Sequence, residues 1–271
     1  MQIKLLDCTL RDGGYINNWE FGEGVIDDIS NKLSNAGIDI IELGFIKDES
    51  YDKKRCVFSD ICRTQEFIKD KNKLYAVMAE VVNPLPLDKL EPYREGLPQI
   101  IRVIVWKKML KEGFEYCRGI VQKGYRLCVQ PARVSQYDDI EFVDMIKTFS
   151  ELNPMAIYIV DSWGTMYKED LVHYLKLADE NLKEGILIGY HGHNNLMQAF
   201  DTAEAFIKAN SKRDLIIDSS VYGMGRGAGN LNTEVIAKFL NENCGKSYKV
   251  EPLIQIFDKY LSDIYKKEKW G

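Results

Sequence analysis

A parallel (β/α)8 barrel of the TIM type, with an additional C-terminal helix, is the α/β fold that three features of the 271-residue sequence predict. Eight short apolar, β-branched runs recur along the chain. Longer amphipathic segments separate them, and alternation of strand and helix signals means a parallel sheet. Eight such units in about 240 residues match the size of a closed barrel. A doubly wound open sheet is the alternative, since periodicity alone does not close a barrel.

The strand signals are IKLLDC (3–8), IDIIELGF (38–45), LYAVMAE (74–80), QIIRVIVW (99–106), YRLCVQ (125–130), AIYIVD (156–161), ILIGYHGH (186–193) and LIIDSSVYG (215–223). Each is followed by room for a helix. The clearest helical segments are GVIDDISNKLSNAG, EFVDMIKTFSEL, EDLVHYLKLADENL and LMQAFDTAEAFIKAN, with apolar residues three and four apart. Glycine in AGIDI and KGYRL stands where a helix should stop before a strand. Residues 249–268 read as the extra helix. No linker, low-complexity tract or internal repeat interrupts this order. The expectation is one catalytic domain over 1–271, its barrel spanning about 3–245.

Composition narrows the function classes. Apolar residues make up 45% and charged residues 28%, as in ordinary soluble proteins. A net charge of −5 and the lack of a basic stripe argue against a nucleic-acid partner. No run approaches the roughly 18 apolar residues of a membrane helix, and MQIKLLDCTLRD lacks the apolar core of a signal peptide. The six cysteines form no CxxC pair or regular framework. These features read as a reduced, cytoplasmic protein.

The chain has three histidines, and two of them stand in YHGHNN. Alternation along ILIGYHGH puts His191 and His193 on one face, at the strand's C-terminal end where barrel active sites are built. Two core histidines satisfied by hydrogen bonds would give the same pattern, but two on one face favour ligation of one metal. Barrel closure puts the last strand beside the first, so oxygen ligands are sought in the loops after both. TLRDGG offers Asp12 beside Arg11, although Asp-Gly also marks a plain turn. GMGRGAGN ends in Asn230.

LDCTLRDGG, IELGF, HGHNN and GMGRGAGN, in this order, resemble the HMG-CoA-lyase-like (DRE-TIM metallolyase) superfamily. That group includes 4-hydroxy-2-oxoacid aldolases, HMG-CoA lyase and the isopropylmalate and homocitrate synthases. The pattern is most similar to that of the 4-hydroxy-2-oxovalerate aldolases. The resemblance implies that Asp12, His191 and His193 bind a divalent metal, with Asn230 completing or supporting the site. Two imidazoles and a carboxylate suit Mn²⁺ first, with Co²⁺ or Zn²⁺ as other occupants, and the resemblance adds Mg²⁺. Arg11 matches the residue that stabilises an enolate, and Glu42 an active-site glutamate near the metal. Ser162, in VDSWG, is similar to the serine that helps hold a 2-oxoacid. Glu42 paired with Arg11, and Ser162 as a helix cap, are the structural readings of the same residues. A homodimer is a further expectation from the resemblance alone.

One departure stands out. The aldolases carry a histidine shortly after RDG, and this chain reads RDGGYINNW. Tyr15 is the nearest ionisable replacement, or else a packing aromatic. His173, in DLVHYL, reads as a surface or packing residue. GMGRGA fits a dinucleotide fingerprint, but too little chain follows residue 223 for a Rossmann sheet. Lys107 and Lys108 after the fourth strand read as solvated lysines rather than Schiff-base nucleophiles.

The leading reading is a divalent-metal-dependent, aldolase-type lyase acting on a 2-oxoacid of the 4-hydroxy type through a pyruvate enolate. Two alternatives stay open. One is a Claisen-type synthase joining an acyl-CoA to a 2-oxoacid, against which only about 35 residues follow the last motif. The other is a catalytically silent barrel that binds metal or a metabolite, which the missing histidine motivates.

Overall fold

The computed structural model describes residues 2–271. Nine strands form one sheet: β1 (Ile3–Asp7), β2 (Ile40–Ile46), β3 (Val57–Phe58), β4 (Leu74–Glu80), β5 (Ile100–Val105), β6 (Arg126–Pro131), β7 (Ala156–Asp161), β8 (Leu187–Gly192) and β9 (Leu215–Ser219). All pairings between them are parallel, and the order is β1-β9-β8-β7-β6-β5-β4-β2-β3. β1 also pairs with β2, through Leu6↔Ile40 and Asp7↔Ile41, and this closes eight strands into a barrel. The two-residue β3 hangs outside the closed ring, on the end of β2.

The helices are α1 (Val25–Ala36), α2 (Leu110–Gln122), α3 (Asp139–Ser150), α4 (Lys168–Asn181), α5 (Ala199–Lys208), α6 (Thr233–Cys244), α7 (Glu251–Ile256) and α8 (Ser262–Lys267). Apolar spacing decides which face each one buries. Ile26, Ile29, Leu33 and Ala36 of α1 are all buried, three or four residues apart. Gly37, at φ 91°, ends that helix with its N–H on the Leu33 carbonyl, as AGIDI predicts. Asp138 and Glu141 form a reciprocal capping box at the start of α3.

Two units depart from the predicted alternation. After β2 comes β3 and then a 3₁₀ helix, Ile61–Phe67, in place of an α-helix. The segment KDESYDKKRC that leads into it has no apolar periodicity to bury. No helix joins β4 to β5. Pro84, Pro86, Pro92 and Pro98 occupy that connection, and each removes a backbone donor and blocks helix propagation. The C-terminal helix departs in a smaller way, since a π-helical turn, Phe257–Leu261, joins α7 to α8. Ile256 and Leu261 are both fully buried but five residues apart. An i→i+5 turn brings that spacing onto one face.

Gly44 explains the glycine of IELGF. At φ 141° a side chain is strained, and a Cβ there would lie 2.0 Å from the Cys56 carbonyl oxygen. Among the described residues no helix is long and apolar enough to cross a membrane. All six cysteines are free thiols. The replacement Gly44→Ala is expected to destabilise the fold by about 2–4 kcal/mol through this clash and its disfavoured φ. A denaturant midpoint within error of wild type would show that β2 and the Cys56 segment can separate freely.

Candidate metal centre and active site

Asp12 stands in a tight turn after β1, where the N–H groups of Arg11, Asp12 and Gly13 converge on the Cys8 carbonyl at 3.0, 2.7 and 3.4 Å. The strand-end Asp7 accepts the Thr9 N–H at 2.9 Å, and Thr9 Oγ1 accepts the Val221 N–H at 2.8 Å. The DCTLRDGG loop is thereby tied to the loop after β9. His191 lies in β8 and His193 one residue beyond it. Their rings stand 5.2 Å apart at 89°, on the shared face predicted from alternation.

Asp12, His191 and His193 each offer one ligand atom, and these atoms all lie within 4.8 Å of one another. His191 Nε2 is 3.9 Å from Asp12 Oδ1, and His193 Nε2 is 4.0 Å from Asp12 Oδ2. Asn230 donates from Nδ2 to Asp12 Oδ2 at 2.8 Å and to the Met224 carbonyl at 2.9 Å. Its own Oδ1 is buried without a hydrogen-bond partner.

Two charged residues unnoticed in the sequence complete the arrangement. Asp218, in β9, pairs with His191 Nδ1 at 2.9 Å. With that nitrogen donating, the imidazole lone pair is on Nε2, the atom that faces Asp12. Asp218 also accepts from Nη2 of Arg102, a fully buried residue of β5. Arg102 Nη1 lies 2.8 Å from Glu42 Oε2, and the same oxygen accepts Arg11 Nε at 2.7 Å. Arg11 Nη1 then reaches Asp12 Oδ1 at 2.5 Å. These contacts run Asp12–Arg11–Glu42–Arg102–Asp218–His191 and return to the metal cluster.

The electrostatics follow from that chain. Burial alone would raise Asp12, but Arg11 and the two histidines outweigh it and hold the carboxyl below its usual range. Burial would likewise raise Asp218, and Arg102 with His191 keeps it ionised. Burial works against the Arg102 charge, and Asp218 and Glu42 more than offset that. Burial holds His193 down to about 4, helped by His191, Arg11 and Arg226 against Asp12. It is therefore neutral, with a lone pair to give, throughout the physiological range.

A divalent ion fits these residues. Two imidazole nitrogens and a carboxylate suit a first-row metal with open positions. The network carries three carboxylates (Asp12, Glu42, Asp218) against two guanidiniums (Arg11, Arg102), an excess of one negative charge. The orphaned Asn230 oxygen is a further donor beside the cluster.

The remaining predicted residues fall into three groups. Arg11, Tyr15 and Ser162 line the same cavity of about 530 Å³ as Asp12 and both histidines. Glu42 lies beneath Arg11, fully buried, and pairs with it. Away from the site, His173 pairs with Asp139 at 2.7 Å on the surface. Lys107, predicted to be solvated, is partly exposed and donates to Glu141 at 2.6 Å on the surface. Tyr15 packs edge-on against Trp19 and Phe45, and burial with Asp12 and Glu80 pushes its phenol up to about 12 against Arg11 and Arg226. Ser162 Oγ accepts the Arg133 N–H at 3.0 Å, leaving its own proton free to donate.

The asparagines behind the histidines have structural work. Asn194 donates its N–H to the Gly229 carbonyl at 2.8 Å. Asn195 binds the Trp163 carbonyl at 2.6 Å and the Ala228 N–H at 3.0 Å, lacing together the loops after β7 and β9. Gly229, at φ 78°, has no room for a Cβ, which would meet the Gly223 carbonyl at 2.1 Å.

His191→Ala and Asp12→Ala are each expected to abolish stoichiometric metal binding with the circular dichroism spectrum unchanged. Asp218→Asn should keep the stoichiometry and weaken affinity by about 10- to 100-fold, because it releases the tautomer of His191. Elemental analysis and metal titration check all three, and wild-type metal content in Asp12→Ala would show that the ion sits elsewhere.

Comparison with known proteins agrees with this geometry. The HMGL-like family model matches residues 105–256, more than half of the chain. The chain is 26% identical over 276 residues to an oxaloacetate decarboxylase of Mycobacterium tuberculosis, covering 96% of this chain and 76% of that protein. It is 25% identical over 248 residues to a 4-hydroxy-2-oxovalerate aldolase of Carboxydothermus hydrogenoformans, with 88% and 70% covered. The HMG-CoA lyase of Bacillus subtilis superposes with a TM-score of 0.75 at 16% identity, covering 100% of this chain and 94% of that one, and so shares the fold. With the closed barrel, the ordered motifs and this match, the chain belongs to the HMGL-like family.

Proposed function

We propose that this chain is a divalent-metal-dependent carbon–carbon lyase that cleaves a 4-hydroxy-2-oxoacid through a pyruvate enolate. The observation that carries the reading is Arg11, whose guanidinium is fixed by Glu42 and Asp12 beside the Asp12–His191–His193 cluster. Those three residues would hold a divalent ion, Mn²⁺ first, which would supply Lewis acidity for a 2-oxoacid. The relatives named as aldolases and decarboxylase support a 2-oxoacid as substrate.

The chain's own groups account for the rest of the chemistry. Arg11 commits Nε and Nη1 to Glu42 and Asp12, which leaves Nη2 available to the oxygen where enolate charge develops. A donor held in place before the charge forms needs no reorganisation. Ser162 can give its hydroxyl proton to the substrate carboxylate, since its oxygen already accepts from Arg133. The phenol of Tyr15, pushed up to about 12, is a proton donor to the enolate carbon rather than a base at neutral pH. Cleavage of an aldol needs the 4-hydroxyl proton removed, and Glu80, which lines the cavity 3.6 Å from Lys47, is the carboxylate there outside the metal cluster.

The state of Tyr15 also favours a second reading. Loss of carbon dioxide from a 3-carboxylated 2-oxoacid gives the same enolate without any base, and a neutral phenol then supplies the proton. The Mycobacterium tuberculosis relative is named for a reaction of this type.

A screen of 4-hydroxy-2-oxoacids and oxaloacetate against Mn²⁺-loaded protein, read as pyruvate released, tests the proposal. Pyruvate and an aldehyde in equal amounts support aldol cleavage; pyruvate and carbon dioxide support decarboxylation. Turnover only with an acyl-CoA, or none at all, contradicts both. Arg11→Lys should lose about 100- to 1,000-fold in turnover while keeping metal affinity, because lysine retains the charge but not the planar fork. Tyr15→Phe should slow product release as pyruvate far more than substrate binding.

A further inference from the structure

The outer rim of the cavity holds two guanidinium groups that the chemistry above does not use. Arg133 follows β6 by two residues and lies at φ 58°, a left-handed conformation disfavoured for a residue with a side chain. Its N–H is anchored on Ser162 Oγ. Its guanidinium sits between two indoles, 4.9 Å from the Trp106 ring and 4.6 Å from that of Trp163. Arg226, in the lining of the same cavity, lies 4.0 Å over the Tyr15 ring. Among the described residues neither arginine has a carboxylate partner at ion-pair distance, although both line the cavity that contains Asp12 and the histidines.

Stacking covers the faces of a guanidinium and leaves its edge, a planar fork of N–H donors, free. That fork matches a carboxylate or a phosphate. Asn195 ties the loop of Trp163 to the loop of Arg226, so the two cations are held in a fixed relation. The cavity, at about 530 Å³, is far larger than a three-carbon oxoacid needs, and Trp106, Arg133, Trp163 and Arg226 all belong to its lining.

We propose that Arg133, together with Arg226, binds a second anionic group, carboxylate or phosphate, on the part of the substrate that leaves as the aldehyde. This rests on the aldolase reading. In that reaction the C3–C4 bond breaks and its electron pair stays on C3 as the enolate. The C4 hydroxyl gives up its proton to a carboxylate of the cavity, and an aldehyde carrying the second anion departs.

The test runs the reaction in the condensing direction, with Mn²⁺-loaded protein, pyruvate and three aldehydes: succinate semialdehyde, glyceraldehyde 3-phosphate and neutral propionaldehyde. The expected result is a KM for one anionic aldehyde lower than that for propionaldehyde by about tenfold or more, the scale of one charge-assisted pair. Which anionic aldehyde wins identifies carboxylate or phosphate as the group bound. Arg133→Gln should remove this preference, and Arg133→Lys should restore only part of it. Trp163→Leu, at a residue 43% exposed and so tolerant of replacement, should give an intermediate loss even if Arg133→Gln folds poorly. Titration of tryptophan fluorescence with inorganic phosphate and with succinate gives a readout that needs no turnover. Anion binding that disappears in Arg133→Gln supports the rim site even where no aldehyde condenses, and then only the aldolase reading falls. Condensation of propionaldehyde as readily as of both anionic aldehydes overturns the rim site and leaves that reading intact.

Discussion

A single buried guanidinium, Arg102, organises the interior of this barrel. It projects from β5, has no exposed surface, and meets Glu42 from β2 and Asp218 from β9. Four strand positions separate β5 from β9 in the sheet order, so this one side chain spans the barrel interior. The Tyr158 ring lies 4.8 Å from it, and Gln130, with its amide oxygen turned toward the guanidinium, accepts from Nη2 at 3.0 Å. A buried pair of this kind adds little net stability, but removing one partner leaves an uncompensated charge and costs about 3–5 kcal/mol. Its consequence here is positional. Glu42 aims Arg11, Asp218 aims His191, and both therefore take their bearings from Arg102.

That arrangement links the charge balance of the interior to its chemistry. Three carboxylates against two arginines leave the network one positive charge short, and Asp12 with the two histidines is the part of it that lines the cavity. A cation at these three residues would offset that excess at a point open to the cavity. The loops then hold this side rigid. Asn195 and Asn194 bind the glycine-rich loop after β9, and Trp270 packs against that loop with its indole N–H on the Tyr222 carbonyl at 2.9 Å. Preorganisation is spread over the whole mouth of the barrel.

The sequence made the barrel strands legible because each is a largely apolar run, as strands buried on both faces tend to be. It made the histidine pair legible because strand alternation is a hard geometric rule. The connections after β2 and β4 were less legible. Room for a helix is no evidence of one, and the four prolines between 84 and 98 were the signal to weigh. Arg102 and Asp218 were missed although a signal existed: a charged residue inside IIRVIV or LIIDSS has no water to face and must find a partner. Glu42 could be found only through a motif, and its pairing with Arg11 only through coordinates. The Arg133 rim had no sequence signal, because Trp106, Arg133 and Trp163 come from three separate connections.

On the proposed function, Arg11 and a metal held by Asp12, His191 and His193 together stabilise the enolate of a 2-oxoacid. Exchange of the pyruvate methyl protons with deuterated solvent runs protonation of that enolate in reverse, the Tyr15 oxygen taking back the proton it gives, with no aldehyde partner required. Mn²⁺-loaded protein is expected to exchange them, and removal of the ion with a chelator to stop the exchange. Fully metal-loaded protein that leaves the methyl protons of pyruvate and of larger 2-oxoacids unexchanged contradicts it, and a barrel that only binds would then be the better description.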